Sequence, residues 1–586
     1  MIPAMRSRTL RQAASAAGPR TNLAQLGGVG RRTFAQVSDA AAVPGKSGSA
    51  ADVEPYLLEE LPAVQAGDKD AISKLPPFVI SRERGFLPRE DPMAKMPEAF
   101  AGLSSLLDRM TIHQPADANG HRATGLLGTG DFGAAVLDEL KPDGKEAKAV
   151  EAAIESGNSH LLAALFRDYC FATSAYLLEP VDRAYRETGF YTQGRNVLPA
   201  QLAVPLKKLA DKLGHFPYME YASSYALVNY LCKDPNYKGA AGKYSFDNME
   251  LIRSFEDASG SERGFILVHV EMVSYTGKLV SATEDALRAC AAKDVAAFED
   301  AFERLLVTYR QINESMETMW ARSLPADYLK YRSFIFGTGP KKMNAMFPEG
   351  VVYEGVSEEP QFYRGESGAN DSIVPTGDNL LEITAHMPNN DLTKTLRDFR
   401  SYRPKNQREF LQHLEARATL AGVRGFAMSS SPRAKALYVL LVDQIREFRN
   451  RHWMFTKSYI IQRTTYDIAT GGSPILQYLP NNLATVLKVL EESFEELTAA
   501  DRQALGNEAA KKQGQRISNV ELLENVTAAG KRAGAQRRML EREVAELLAE
   551  KEKRIQSLGG DQERGRGMLG EPKSMKRGAV GCDGVG

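Results

Sequence analysis

Apolar residues recur at i, i+3 and i+4 through most of this chain, and that pattern confines it to helical architectures. The spacing predicts helices within 147–176, 202–213, 283–319 and 391–416. Strand-like alternation is scarce, and no repeat of 20–50 residues stands out. Turn clusters such as Gly239-Ala-Ala-Gly242 and Gly337-Thr-Gly-Pro340 separate the helical stretches. With 586 residues the chain is long enough for two or more domains with real cores. The expected fold is all-α, in two helical domains over 46–257 and 258–500. The boundary is placed at Asp257-Ala-Ser-Gly-Ser261, just before an apolar helix.

The two ends differ from this middle. The first 38 residues hold Arg6, Arg8, Arg11, Arg20, Arg31 and Arg32 but no Asp, Glu or Lys. That is the make-up of a mitochondrial transit peptide, with Arg32-Thr-Phe-Ala35 resembling a processing site; the alternative is a disordered basic arm over 1–45 in a cytoplasmic protein. At the other end, Leu540, Val544, Leu547 and Leu558 suggest about two heptads, too few for a stable coiled coil. Residues 501–586 therefore read as a solvated charged helix and a disordered Gly-rich tail from Gly559.

Lys+Arg and Asp+Glu balance at 74 each, which gives no electrostatic case for nucleic acid or an anionic membrane. Apolar runs such as 265–270 are about half a membrane span or less. The four cysteines (Cys170, Cys232, Cys290, Cys582) are scattered, without CxxC, which argues against disulfides and zinc.

The most informative stretch is Phe448-Arg-Asn-Arg-His-Trp-Met-Phe-Thr-Lys-Ser-Tyr459, followed by Ala469-Thr-Gly-Gly-Ser-Pro474. At 3.6 residues per turn, Ile445, Phe448, His452, Phe455 and Tyr459 share one helix face, with Arg449 a turn before His452. A haem needs such a wall: one imidazole for iron, apolar groups for the macrocycle, an Arg for a propionate. A satisfied core histidine in an amphipathic helix fits the same periodicity.

The segment resembles the indoleamine 2,3-dioxygenase family, whose signature is an Arg, two residues, the proximal haem His, and then a Thr-Gly-Gly loop. Arg449, His452 and Thr470-Gly471-Gly472 fill those places. Gly264-Phe-Ile-Leu-Val-His-Val-Glu271 resembles the family's distal helix. Arg332, in Tyr328-Leu-Lys-Tyr-Arg-Ser-Phe-Ile-Phe-Gly337, resembles its substrate-carboxylate Arg. Val351-Val-Tyr-Glu-Gly355 leading to Gly365-Glu-Ser-Gly-Ala369 is similar to its segment over the haem, and Asp378 to the acid that pairs with the propionate Arg. The likeness runs from about Tyr218 to Leu483 in unbroken order.

The resemblance implies a small domain capping a larger haem-binding domain, one haem b per chain, and O2 as cosubstrate. The reaction it implies opens the indole ring of L-tryptophan to N-formylkynurenine, the first step of the kynurenine pathway. It further implies a monomer and an external reductant for ferric haem. His452 is then the iron ligand, with its other ring nitrogen fixed by a nearby acceptor or water. Arg449 pairs with a propionate and Asp378, and Ser367, Gly368 and Ala369 pass beside the haem edge. Phe265 stacks on the indole. His269 stands where the animal enzymes carry Ser; it could read the indole N–H, hydrogen-bond O2, or bind iron as a sixth ligand. Arg332 takes the substrate carboxylate with help from Thr470, while Gly471 and Gly472 let the loop fold closely. The family's aromatic five residues before this Arg is missing, since that place holds Asp327; Tyr328 or Tyr331 could replace it. The small domain would add Tyr221, Ser224 and Tyr225, although counting back from Asn229 disagrees by one residue with counting from Tyr221.

Two other functions stay open. A catalytically weak haem-binding sensor or scaffold would share the fold. Gly128-Thr-Gly-Asp-Phe-Gly133 matches GxGxxG and points to a nicotinamide-dependent oxidoreductase, though only Leu126-Leu127 precedes it where a strand is required.

Overall fold

The computed structural model describes residues 56–339, 344–386, 398–464, 466, 468–507 and 514–557. The expected arm over 1–45 and the Gly-rich stretch from Gly559 lie outside the described residues. The protein is all-α: strands are confined to a three-stranded and a two-stranded sheet, both of short segments.

Local chemistry sets where the helices break. The 147–176 stretch is two helices, Lys145–Ser156 and Ser159–Thr188, because Gly157 turns left-handed (φ +68°) and Asn158 caps the second by accepting from Leu161 N at 3.1 Å. The 283–319 stretch likewise divides into Thr276–Ala292 and Val295–Glu317, where Lys293 takes φ 59° and Asp294 accepts from Ala297 N at 3.0 Å. In 391–416 the described helix is broken: residues 398–400 are helical, a turn and Pro404 interrupt them, and Lys405–Ala421 follows; residues 387–397 lie outside the described set.

Ser159–Thr188 is long and apolar enough to cross a membrane by composition, yet 94% of that window is buried inside the protein. It is a core spine, and Arg167 and Asp168 within it pair at 2.8 Å with Arg253 closing on Asp168 at 3.0 Å. Val295–Glu317 packs between Thr276–Ala292 and Pro432–Thr456, which in turn packs on Ile475–Glu495. The described residues from Tyr56 onward form one compact unit. The division expected near residue 257 does not interrupt its packing, since Phe255 stacks on Phe171 (4.8 Å) and on Phe334 (4.9 Å). Two domains therefore remain a proposed organisation.

One expectation is corrected. The C-terminal helix, Asn519–Ser557, is not solvated: it lies along Pro432–Thr456 and Ile475–Glu495, burying Leu522, Val526, Ala529, Ala533, Leu540 and Val544. These recur at alternating intervals of four and three until Gln536 and Glu543 enter the stripe, so the seam is longer than its apolar residues suggest.

Candidate functional site

The helix Ser261–Ser274 carries Phe265 and His269 four residues apart, on one face. Gly264 lets the chain at Arg322 cross that helix: a Cβ there would lie 1.7 Å from the Arg322 carbonyl oxygen. The crossing delivers two aromatics to Phe265, with Tyr328 at 5.5 Å and Tyr331 at 6.1 Å between ring centroids. Asp327 turns away, accepting from Ser261 Oγ at 2.8 Å. Both candidates for the missing aromatic wall are therefore present.

His269 Nδ1 lies 2.7 Å from the Phe265 carbonyl oxygen, so it carries the proton and donates. Burial lowers the imidazole pKa and keeps the ring neutral, leaving Nε2 as an acceptor. Nε2 faces the Ser367–Gly368–Ala369 segment: a Cβ on Gly368 would sit 3.7 Å from it. Tyr221 meets His269 edge-on at 5.6 Å, and Tyr225 lies 6.5 Å from Phe265.

Residues Tyr221–Tyr225 form a π-turn, closed by Tyr225 N and Ala226 N donating to the carbonyls of Glu220 and Tyr221. Such a turn takes up one residue more than an α-turn. This is the physical counterpart of the one-residue disagreement in counting from Tyr221 and from Asn229. It points Tyr221 and Tyr225 to the site, with hydroxyls on Asp371 and Glu262 at 3.2 Å each. Ser224 is not delivered there: its hydroxyl donates to the Glu220 carbonyl at 2.8 Å and accepts from Glu220 N at 2.9 Å.

Opposite stands the helix Pro432–Thr456, started by Ser431 accepting from Ala434 N at 2.9 Å and by Pro432 in its first turn. It carries His452, whose pKa burial and the nearby His269 push down to about 4. Phe265, His269 and His452 keep accessible surface although burial depresses both imidazoles, as side chains around an internal space do. Among the described residues, no acceptor fixes either ring nitrogen of His452.

A turn earlier, Arg449 Nη2 pairs with Asp378 Oδ2 at 2.7 Å, while buried Arg449 Nη1 and Asp378 Oδ1 find no partner among the described residues. Gly377 makes the approach possible, since a Cβ there would meet Ile445 Cδ1 at 2.5 Å. Burial pushes the Asp378 carboxyl up against the pull of Arg449, Arg400 and Arg403. Buried Arg403 donates to the carbonyls of Ala369, Asn370 and Asp371, and burial beside Arg400 lowers its pKa to about 10. Three arginines, Arg400, Arg403 and Arg449, stand against two acids, Asp371 and Asp378, and this excess of positive charge suits an incoming carboxylate.

Arg332 is fully buried and, among the described residues, has no carboxylate partner. Its Nη1 and Nη2 donate to the carbonyls of Tyr466 (3.3 Å) and Ile468 (2.7 Å), and Nε meets no acceptor among those residues. Phe336 lies under the guanidinium at 4.8 Å. The loop Ala469–Ser473 closes alongside, with Thr470 Oγ1 donating to the Glu366 carbonyl at 2.6 Å and Gly472 at φ +87°. A Cβ on Gly471 would strike the Phe399 ring at 2.3 Å.

A lone imidazole with free ring nitrogens, a second imidazole facing the same space and a basic cradle fit a haem with two propionates. The sequence profile of the indoleamine 2,3-dioxygenase family matches residues 74–503. The chain belongs to that family. It is 28% identical to indoleamine 2,3-dioxygenase 1 of Rattus norvegicus over 313 residues, 50% of this chain and 74% of the relative. Indoleamine 2,3-dioxygenase 1 of Mus musculus is 29% identical, over 46% of this chain and 63% of the relative. Indoleamine 2,3-dioxygenase of Saccharomyces cerevisiae is 29% identical, over 48% and 64%. Two of these three alignments thus span slightly less than two thirds of the relative.

The GxGxxG segment has no dinucleotide geometry. Leu126–Thr129 is a helical turn, and the first amides of Phe132–Glu139, at Phe132 and Gly133, donate to Glu179 at 2.7 and 3.1 Å. A carboxylate occupies the place a pyrophosphate requires. Sequence reasoning missed two residues that the family fold brings to the site. Arg403 lies inside the 391–416 stretch, where the apolar spacing predicts a helix and gives no sign of a buried cation. Glu366 was visible only as a spacer between Gly365 and Ser367.

Proposed function

We propose that this protein is a haem-dependent dioxygenase that inserts both atoms of O2 across the indole 2,3 bond of L-tryptophan, yielding N-formylkynurenine. The family is haem-dependent and acts on tryptophan with O2. The observation that carries the reading to this chain is the joint presence of two facing imidazoles, His452 and His269, and a buried Arg332 that pairs with no acid among the described residues.

Haem, when bound, supplies the iron that takes up and activates O2. His452 would hold it through a neutral ring nitrogen, and Arg449, Arg403 and Asp378 would engage its propionates. Phe265, walled by Tyr328 and Tyr331, would stack on the indole. His269 Nε2, an acceptor only, would take the indole N–H; it has no proton to offer O2 in this tautomer. Arg332 would receive the carboxylate, relieving an otherwise uncompensated buried charge. Positioning in a dry pocket supplies most of the rate.

The test is ferrous protein mixed with O2 and L-tryptophan, with absorbance followed as N-formylkynurenine forms. Turnover with stoichiometric haem is expected. A normal Soret band without product would replace the enzyme by a haem-binding sensor.

A further inference from the structure

Glu366 is a carboxyl that the proposed mechanism leaves unused. It is 2% exposed, and its side chain has no hydrogen bond or ion pair among the described residues. Its position is fixed on both sides. Gly365 is wedged so that a Cβ would lie 2.5 Å from the carbonyl oxygens of Ile335 and Thr470, and the Glu366 carbonyl receives the Thr470 hydroxyl at 2.6 Å. The Glu366 backbone therefore sits beside the loop that flanks Arg332, whose Nη2 is held by Ile468. The carboxyl also lies within electrostatic reach of the aromatic box: burial first, and then the charge of Glu366 among other neighbours, raises the phenol pKa values of Tyr221, Tyr225 and Tyr328. Those three rings surround Phe265 and His269.

Arg332 and Glu366 thus border the same pocket, each buried and neither paired with the other. A buried guanidinium and a buried carboxyl that stay apart in a low-dielectric interior leave room for a ligand carrying both signs. Resting on the reading of this pocket as an amino-acid site, we propose that Glu366 receives the α-ammonium group of the substrate, so that the pocket selects the zwitterion and not merely an indole carboxylate. A neutral acid suits this role in the empty pocket. Burial pushes the Glu366 pKa up to about 8, so near pH 7 it holds a proton until an ammonium arrives to stabilise the carboxylate. Binding should then release that proton.

The test uses ferric haem-loaded protein titrated with L-tryptophan, indole-3-propionate (no ammonium) and tryptamine (no carboxylate), for wild type, Glu366→Gln and Glu366→Asp. Haem content and circular dichroism accompany each variant. Glu366→Gln is expected to weaken L-tryptophan and tryptamine by about 10–100-fold while leaving indole-3-propionate unchanged. Glu366→Asp should recover part of the L-tryptophan affinity. Calorimetry of wild type in buffers of different ionisation enthalpy should show proton release with L-tryptophan at pH 7 and none with indole-3-propionate. That readout stands even if a variant fails to fold.

Equal weakening of L-tryptophan and indole-3-propionate by Glu366→Gln overturns the proposal, as does wild-type L-tryptophan binding without proton release. Either leaves the amino-acid reading intact. Failure of wild type to bind any of the three indoles overturns that reading, and the proposal with it.

Discussion

The two faces of the Pro432–Thr456 helix are built on opposite rules. On the face toward Phe265 and His269, polar atoms go unmet among the described residues: His452 has no hydrogen-bond partner there, and buried Arg449 Nη1 lacks an acceptor. On the back, against the C-terminal helix, the polar groups are met. Arg446 binds Asp443 at 2.6 Å and Gln536 at 3.1 Å, Gln536 reaches Asn450 at 2.7 Å, and Trp453 Nε1 donates to Glu543 at 2.9 Å. His452 and Trp453 are neighbours in sequence but about 100° apart around the helix. Unmet buried polar groups cost free energy, so a face that keeps them is shaped for a ligand, while a saturated face is shaped for the fold.

The sharpest way to break this comparison is at its centre. His452→Ala should abolish stoichiometric haem binding, because no other imidazole on that helix face can replace it. A variant with wild-type haem content and an unchanged Soret spectrum would mean that another residue holds the iron, and the open face would lose its meaning.

Next in size is Arg332→Met, which keeps the stem over Phe336 and removes the charge. The apparent KM for L-tryptophan should rise by the equivalent of about 2–4 kcal/mol, with haem content near normal. An unchanged KM would show that the carboxylate is held elsewhere and that the buried charge serves only its two carbonyl partners.

How far these faces could be read in the sequence follows from how local their signals are. His452, Arg449 and the Thr470 loop lie close together in the chain, and the Arg449–Asp378 pair expected from the resemblance is present at 2.7 Å. All-helical architecture was legible because apolar periodicity is local too. The π-turn at Tyr221–Tyr225 was not: an inserted residue leaves no compositional trace, and it was visible only as a count that failed to close. The C-terminal helix was misread because Ala529 and Ala533 look like filler and Gln536 and Glu543 interrupt the stripe, although their polar groups have partners on the helix they cover. Glu366 was passed over for the opposite reason, since a single acid between small residues reads as a solvated loop until burial is known.

His269→Ser sharpens the comparison within the open face. Nε2 is an acceptor with no protein partner, so it can read the indole N–H without being indispensable. The variant should keep haem and lose about 10²-fold in kcat, the lower end for help of this kind. 1-Methyltryptophan, which lacks that N–H, should bind wild type less well relative to tryptophan than it binds the variant. Equal discrimination would remove His269 from indole recognition. A low-spin bis-imidazole spectrum in ferric wild type, lost in the variant, would make it an iron ligand instead.

The smallest effect belongs to the back face, and there it should be purely one of stability. Glu543→Ala leaves Trp453 Nε1 buried without an acceptor and Lys457 without its carboxylate. The stranded indole N–H should cost about 1–3 kcal/mol, and the loss of the Lys457 pair, whose carboxylate is 38% exposed, should add less. Glu543→Gln separates the two, since its amide oxygen can still accept from Trp453; the loss there should fall below about 1 kcal/mol. Urea unfolding measures both, and the Soret band should show full haem content in each. If Glu543→Ala instead sheds haem as His452→Ala does, the brace sets the position of the iron ligand. The two faces of the helix would then be one device.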